Sequence, residues 1–328
     1  MRTAERIPDK PPVIRAIPPG VKRPTWSVMI PVYNCSAYLR ETLVSVLCQY
    51  PGADHMQVEV IDDASTDADV RAIVEEVGKG RVLYFRQPQN VGSLRNFQTC
   101  IDRARGHLVH ILHGDDRIRN GFYNQFEQLF TKYPEAGAGF CRYAYIDAQG
   151  QFMYNHEQEM DQEGILRNWV SKLGEHQRIQ YVAMVVRRAV YEKLGSFYGV
   201  EYGEDWEMWM RIASQYQTAY IPNVLAEYRR HFSSISGKSF LTGRNMKELS
   251  LVMERIQQYL PPDRRTTIMK RSRRFYAHYA LRTANTLWKH LKHRGAAVAQ
   301  ARAAWTMSRD FGLFYKILKL YTRMTLNL

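Results

Sequence analysis

Two hydrophobic periods alternate along the first 120 residues. The run "WSVMIPVYN" reads as a buried strand over Trp26–Pro31 that ends in a polar turn. In "SAYLRETLVSVLCQY", Leu39, Leu43, Val46, Leu47 and Tyr50 recur at helical spacing. "QVEVIDDASTD" is a second strand running into an acidic turn, and a helix is expected over about Asp69–Val77. "RVLYFRQ" reads as a third strand, "GSLRNFQTCIDRAR" as a helix, and "HLVHILHGDD" as a fourth strand. Strand–helix alternation of this kind predicts a parallel α/β sheet.

After about Phe122 the pattern is mixed. "AGAGFCRYAYIDAQGQFMY" reads as a hairpin turning at Ala148–Gly150, and "IQYVAMVVRR" as a further apolar strand. "GEDWEMWMRIASQ" is an amphipathic helix with acids in its first turn, where the helix dipole favours them. "TAYIPNVLAEYRRH" suggests two short strands, and from about Phe240 the chain reads as helix to its end.

In parallel sheets ligands bind beyond the carboxyl ends of the strands. Three of the expected strand ends are polar: Tyr33–Asn34, Asp62–Asp63 and Asp115–Asp116. An adjacent carboxylate pair at the end of an apolar run is costly unless a cation or hydrogen bonds hold it. The pair Asp115–Asp116 therefore reads either as an oxygen site for Mg²⁺ or Mn²⁺ with a diphosphate, or as a cap for the next helix.

Composition adds location more than class. Apolar residues make up 45% of the 328 positions, enough for a real core. The four cysteines, Cys35, Cys48, Cys100 and Cys141, show no metal spacing and suit a reduced, cytosolic compartment. The net charge of +14 is not spread evenly: residues 264–328 hold 15 Lys/Arg and one acid, Asp310, and the rest of the chain balances. Such a tail points to an anionic partner for the tail alone. Residues 1–24, with six prolines and eight charges, read as a disordered arm. No run of about 18 uncharged apolar residues occurs, so no ordinary membrane span is expected.

Five stretches in order, "SVMIPVYNCSAYLRETLVSVL", "EVIDDASTD", "NVGSLRN", "LVHILHGDD" and "GEDWEMWMRIA", resemble the family-2 inverting glycosyltransferases of the GT-A fold, over about Thr25 to Ser236. The resemblance implies a mostly parallel Rossmann-like sheet flanked by helices over residues 25–238, with a basic helical appendage over 239–328. It implies a nucleotide-sugar donor, expected to be a UDP-sugar, bound by Pro31, Val32, Tyr33, Asp62, Asp63, Arg95, Asp115 and Arg230. Tyr33 would face the base and Asp63 would accept from its imide N–H. Mg²⁺ or Mn²⁺ would be held by Asp115 and Asp116, with His231 as a further ligand. His113 replaces the first Asp of the family's D-x-D, which leaves Asp115 as the main ligand and His113 outside the coordination shell. Asp205 stands where the family has its catalytic base, with Glu204 beside it expected to raise the pKa of one member of the pair by like charge. "AEYRRHFSSIS" supplies Arg230 and His231 as candidates to meet the diphosphate.

The acceptor implied is a glycan or lipid-linked acceptor, in surface polysaccharide or lipid-linked glycan assembly. Other classes fit less well. A dinucleotide enzyme would show G-x-G-x-x-G after the first strand, and none is there. A nucleic-acid-binding protein, suggested by the basic tail, has a neutral body and no known module here, so no nucleic-acid partner is expected. An inactive scaffold would not need Asp63, Asp115, Asp116 and Asp205. In the last helix Phe314, Ile317, Leu318, Tyr321, Thr325 and Leu328 are expected on one face, with Lys316, Lys319 and Arg323 off it. Cations beside an apolar stripe predict peripheral attachment to an anionic membrane surface, the cytoplasmic face of the inner membrane.

Overall fold

The computed structural model describes residues 6–231 and 234–327. In chain order the main elements are β1 (Trp26–Val32), α1 (Ser36–Leu47), β2 (Met56–Asp62), α2 (Val70–Gly78), β3 (Leu83–Arg86), α3 (Ser93–Arg103), β4 (Leu108–Ile111), β5 (Arg117–Ile118), α4 (Phe122–Lys132), β6 (Ala136–Ile146) and β7 (Phe152–Asn155). They continue with β8 (Gly164–Ile165), α5 (Trp169–Glu175), β9 (Met184–Arg187), α6 (Arg188–Leu194), α7 (Glu204–Ala213), β10 (Gln217–Arg229), α8 (Ile235–Thr242), α9 (Arg244–Arg255), α10 (Arg265–Leu291), α11 (Arg294–Met307) and α12 (Phe311–Thr325).

The strands form one sheet with the path β3-β2-β1-β4-β9-β6-β10-β5, β7 and β8 pairing off it. The first four strands of that path are parallel, as the strand–helix alternation requires. Beyond β4 the sheet is mixed, because β9 runs antiparallel to both β4 and β6 while β6 and β10 are parallel. All seven residues of β1 are buried, as expected of a central strand covered on both faces. Val28, Ile30 and Val32 of β1 share a core with Leu39, Leu43 and Val46 of α1 and with Phe122, Phe126 and Leu129 of α4.

Two local expectations change. "TAYIPNVLAEYRRH" is one long strand rather than two, with register shifts between Ile221, Val224 and Ala226 that absorb Pro222, which has no N–H to give the ladder. The segment expected as a disordered arm is laid against the body from residue 6 onward; residues 1–5 lie outside the described residues. Gly199 N donates to Pro8 O at 2.9 Å, Ser196 N to Pro12 O at 2.8 Å, and Ile14 is 2% exposed. Prolines there keep the backbone extended and leave its carbonyls free to accept.

The chain divides into two compact units. The first takes residues up to Arg167, Ile179–Glu201 and Arg211–Arg230, and holds the sheet. The second is helical and takes Asn168–Arg178, Tyr202–Met210 and His231–Leu328. It is not a tail cut at residue 238, because α5 and the first turns of α7 pack into it. Trp206 Nε1 donates to Leu173 O at 2.8 Å, and the Trp206 ring lies 5.3 Å from that of Tyr276 on α10. Trp206 and Trp209 are both buried, so both serve this core.

The buried stripe of α12 is Leu313, Ile317, Leu320 and Met324, turned toward α10 and α11. This corrects the expected face: Ile317 is inside, but Phe314 and Leu318 are 49% and 53% exposed, and Leu328 lies outside the described residues. Apolar residues occur on more than one side of this helix, so spacing alone could not choose the side that packs. No helix among the described residues is long and apolar enough to cross a membrane.

Candidate active site

Parallel register brings the carboxyl ends of β1, β2 and β4 to one edge of the sheet, with Val32 opposite Asp62 and Met29 opposite Ile111. The turns beyond them are laced together: Asp63 N donates to Val32 O at 2.8 Å, and Gly114 N to Pro31 O at 3.3 Å. Asn34, in the left-handed region at φ 51°, accepts from Thr66 N at 2.8 Å. Pro31 and Val32 are buried in this edge, and Tyr33 projects from it, 47% exposed. The three polar strand ends therefore do converge.

The two acids after β2 are buried and occupied. Asp62 accepts from Ser65 N at 2.8 Å, from Tyr84 OH at 2.7 Å and from Arg86 at 2.5 Å. Asp63 accepts from Val91 N at 2.7 Å, Asn90 Nδ2 at 2.9 Å and Gly92 N at 3.0 Å, holding the "NVG" loop. Burial pushes the Asp63 carboxyl up, and the Val91 and Gly92 amides pull against it. Gly92, at φ 90°, supplies the backbone turn that presents its N–H.

Beyond Asp116 the chain enters strand β5, and α4 starts only at Phe122, so the pair caps no helix. His113, Asp115 and Asp116 instead gather ligand atoms within 4.8 Å of one another. The His113 ring, expected outside the coordination shell, lies with the two carboxylates in this cluster. It is stacked on Phe97 at 5.3 Å and packed on Tyr181 at 4.5 Å, and burial holds it below its ordinary pKa, hence neutral and able to ligate. Burial, then the Asp115 charge, pushes Asp116 far above the usual carboxylate range. Its Oδ1 accepts from Arg229 N at 2.8 Å, whereas Oδ2 and His113 Nε2 are buried with no partner. Two unpartnered polar atoms on residues of one cluster, beside a second carboxylate, fit a divalent cation, which would reverse the pressure on Asp116. Gly114 is required by close approach: a Cβ there would stand 2.9 Å from Val32 Cγ2 and 3.0 Å from Cys35 Sγ.

Arg229 was not singled out by the sequence, yet it builds this turn. The side chain is 2% exposed, donates to Asp115 O at 2.7 Å and to Glu41 at 2.8 Å, and reaches Asp147 O and Ala148 O at 3.4 and 3.3 Å. Arg117 joins it, bonding Glu41 at 2.9 Å and Gly150 O at 2.8 Å. Burial works against the Glu41 carboxylate, but Arg229 and Arg117 outweigh it and hold it below its usual range. The only hint in the sequence was its place beside Arg230 at the end of an apolar strand.

The remaining candidates make contacts of their own. Arg95 lies on α3 and bonds Gln98 at 3.0 Å. Arg230 bonds Ile146 O through its backbone at 2.9 Å and Tyr154 OH through its guanidinium at 3.2 Å. His231 belongs to the second unit, and the three-residue cluster does not include it.

Asp205 also belongs to the second unit, in the first turn of α7. Its Oδ1 accepts from Trp206 N at 2.7 Å, and its Oδ2 from Gln177 Nε2. Gln177 is itself fixed, its N–H donating to Tyr276 OH at 3.1 Å. Burial pushes Asp205 up to about 6, with the Trp206 and Gln177 donors opposing. The leading cause is thus desolvation, not the like charge of Glu204 expected from the sequence.

The molecule resembles solved structures along nearly its whole length. S. aureus TarS (residues 1–349, in complex with UDP-GlcNAc) superposes with a TM-score of 0.62 at 15% identity, covering 92% of this chain and 90% of that one. The mannosyltransferase PcManGT of Pyrobaculum calidifontis, in complex with GDP-Man and Mn²⁺, gives a TM-score of 0.55 at 16% identity, covering 97% and 86%. An uncharacterized protein of Mycobacterium tuberculosis (strain CDC 1551 / Oshkosh) is 26% identical over 251 residues, 70% of this chain and 75% of its own length. Glycosyl transferase family 2 is matched over residues 27–195, a span that takes in β1 beyond Trp26, the Asp62–Asp63 turn and the whole His113–Asp116 cluster. The chain therefore belongs to glycosyl transferase family 2, and it is a glycosyltransferase with the GT-A fold.

Proposed function

We propose that this glycosyltransferase works with inversion, moving one sugar from a nucleoside diphosphate sugar to an acceptor hydroxyl in surface-polysaccharide or lipid-linked glycan assembly. The observation that carries the reading is the His113–Asp115–Asp116 cluster, with two buried polar atoms that lack a partner, at the carboxyl edge of a parallel sheet. These residues would hold Mn²⁺ or Mg²⁺, whose chemistry there is to offset charge on the diphosphate; a set containing an imidazole suits Mn²⁺ better than Mg²⁺. The first unit is the donor-binding domain: Pro31, Val32, Tyr33 and Asp63 line the base side, and Arg95 and Arg230 serve the sugar and diphosphate. Uridine is the preferred base, supported by the UDP-GlcNAc complex of TarS; the GDP-Man complex of PcManGT keeps guanosine as the alternative.

Asp205 acts as the base. The acceptor oxygen attacks the anomeric carbon and passes its proton to the Asp205 carboxylate. The bond from that carbon to the diphosphate oxygen breaks, and the nucleoside diphosphate leaves with the electron pair. A carboxyl raised to about 6 is ionised at neutral pH yet basic enough to take that proton. The basic helices at the end of the second unit attach the enzyme peripherally to the anionic cytoplasmic face of the membrane, where a lipid-linked acceptor is presented. A panel of UDP- and GDP-sugars, scored by thermal stabilisation and hydrolysis with and without Mn²⁺, tests the donor reading. Stabilisation by one nucleotide class, dependent on Mn²⁺, is expected; no response to any donor would overturn it.

A further inference from the structure

Two rows of side chains face each other between α10 and α12. His278, Leu281, Arg282 and Asn285 of α10 recur at i, i+3, i+4 and i+7, and Lys316, Lys319 and Arg323 of α12 at i, i+3 and i+7. Together they line a cavity of about 200 Å³ that contains four cations and no carboxylate. Arg282 lies 6.0 Å from the Phe275 ring, and none of the four cations makes an ion pair among the described residues. Burial and the neighbouring cations Lys316, Arg274 and Arg282 hold the His278 imidazole below its ordinary range, with Asp310 opposing. Gathering like charges along one cleft costs free energy unless an anion completes the set. The geometry suits a phosphate, which Arg grips through its planar fork and Lys as a point charge.

A second row decides what carries that phosphate. Phe311, Tyr315, Leu318 and Leu326 of α12 and its end are 84%, 60%, 53% and 61% exposed, and they fall on the side opposite the buried Leu313–Ile317–Leu320–Met324 stripe. Lys316, Lys319 and Arg323 lie between the two apolar rows. A site for free phosphate has no use for an exposed apolar row. A helix lying in the plane of a bilayer does, because it sets that row into the acyl boundary and its cations at headgroup level.

We propose that the α10–α12 groove is a binding site for the phosphate headgroup of an anionic membrane lipid, seated there as the exposed row of α12 enters the bilayer. The proposal rests on the peripheral-attachment reading above and names its point of contact. The test is flotation of the full chain with phosphatidylcholine vesicles that contain or lack phosphatidylglycerol. The parent should float only with the anionic vesicles. The pair Lys319→Gln/Arg323→Gln should lose about tenfold or more of that partitioning, since each cation at the leaflet counts for about a factor of five. The pair Lys270→Gln/Arg273→Gln, equal in charge and outside the cavity, should lose about twofold or less. Leu318→Ser with Tyr315→Ser should also detach the protein, and because these positions are exposed, unchanged thermal unfolding will show that the fold survives. If the control pair loses as much as the cavity pair, the charge acts diffusely and the site falls. It also falls if inorganic phosphate saturates the groove while vesicles do not bind, or if RNA is retained in their place. Failure of the parent to float at all would remove the attachment reading itself, and neither result bears on transferase activity.

Discussion

The acidic turn of the first unit and the cation row of the second treat charge in opposite ways. Around Asp115–Asp116, Arg229 and Arg117 are matched against Glu41, Glu227 and four carbonyls, while Asp116 Oδ2 and His113 Nε2 stay buried with no hydrogen-bond partner. Along α10 and α12, Arg282, Lys316, Lys319 and Arg323 stand together with no carboxylate in the cavity they line. The lesson is that a compensated network positions a site, and what it leaves uncompensated reports the ligand. On the reading proposed above, the first unit's remainder would suit a cation and the second unit's an anion.

The largest test of the transfer chemistry is Asp205→Asn. Asn keeps the shape and the Trp206 contact but takes no proton, so kcat should fall by about 10²–10⁴ while the donor KM stays within about twofold. Turnover near the parent value would move the base elsewhere. Next, Arg229→Leu removes the donor from Asp115 O, Asp147 O and Ala148 O at a buried position, and should lower stability by about 3 kcal/mol in denaturant unfolding. An unchanged midpoint would mean that the network is ornamental to the turn.

A smaller effect comes from the Asp205 carboxyl being raised to about 6. The base must be ionised, so kcat should be flat above that pH and fall about tenfold per unit below it. A profile level down to pH 5 would contradict the assignment. Smallest of all, Gln177→Leu removes a donor that favours the charged form, so the acid limb should move to higher pH by about half a unit. A shift to lower pH would reverse the role given to Gln177.

Much of the fold was legible because its signals are local. The runs at Trp26, Val58 and Leu108 are rich in apolar residues and end in polar turns, and the helices between them keep a single stripe, so the strand ends could be located. Contacts distant in sequence were not legible. A buried Arg229 looks like any basic residue until the carbonyls of residues 115, 147 and 148 are brought to it. His113 looked like the loss of a ligand, because a D-x-D pattern counts carboxylates, and only the fold shows its ring gathered with Asp115 and Asp116. The α12 stripe failed for a different reason: apolar residues on several sides satisfy more than one helical face, and only packing against α10 and α11 selects the buried one.

The central claim is that His113, Asp115 and Asp116 form the cation site of the donor diphosphate. Mn²⁺ titration followed by electron paramagnetic resonance, in the parent and in Asp116→Asn, tests it directly. The parent should bind Mn²⁺, more tightly when UDP is present, and Asp116→Asn should weaken both by about tenfold or more. Equal Mn²⁺ affinity in the two proteins, with no response to UDP, would contradict the account.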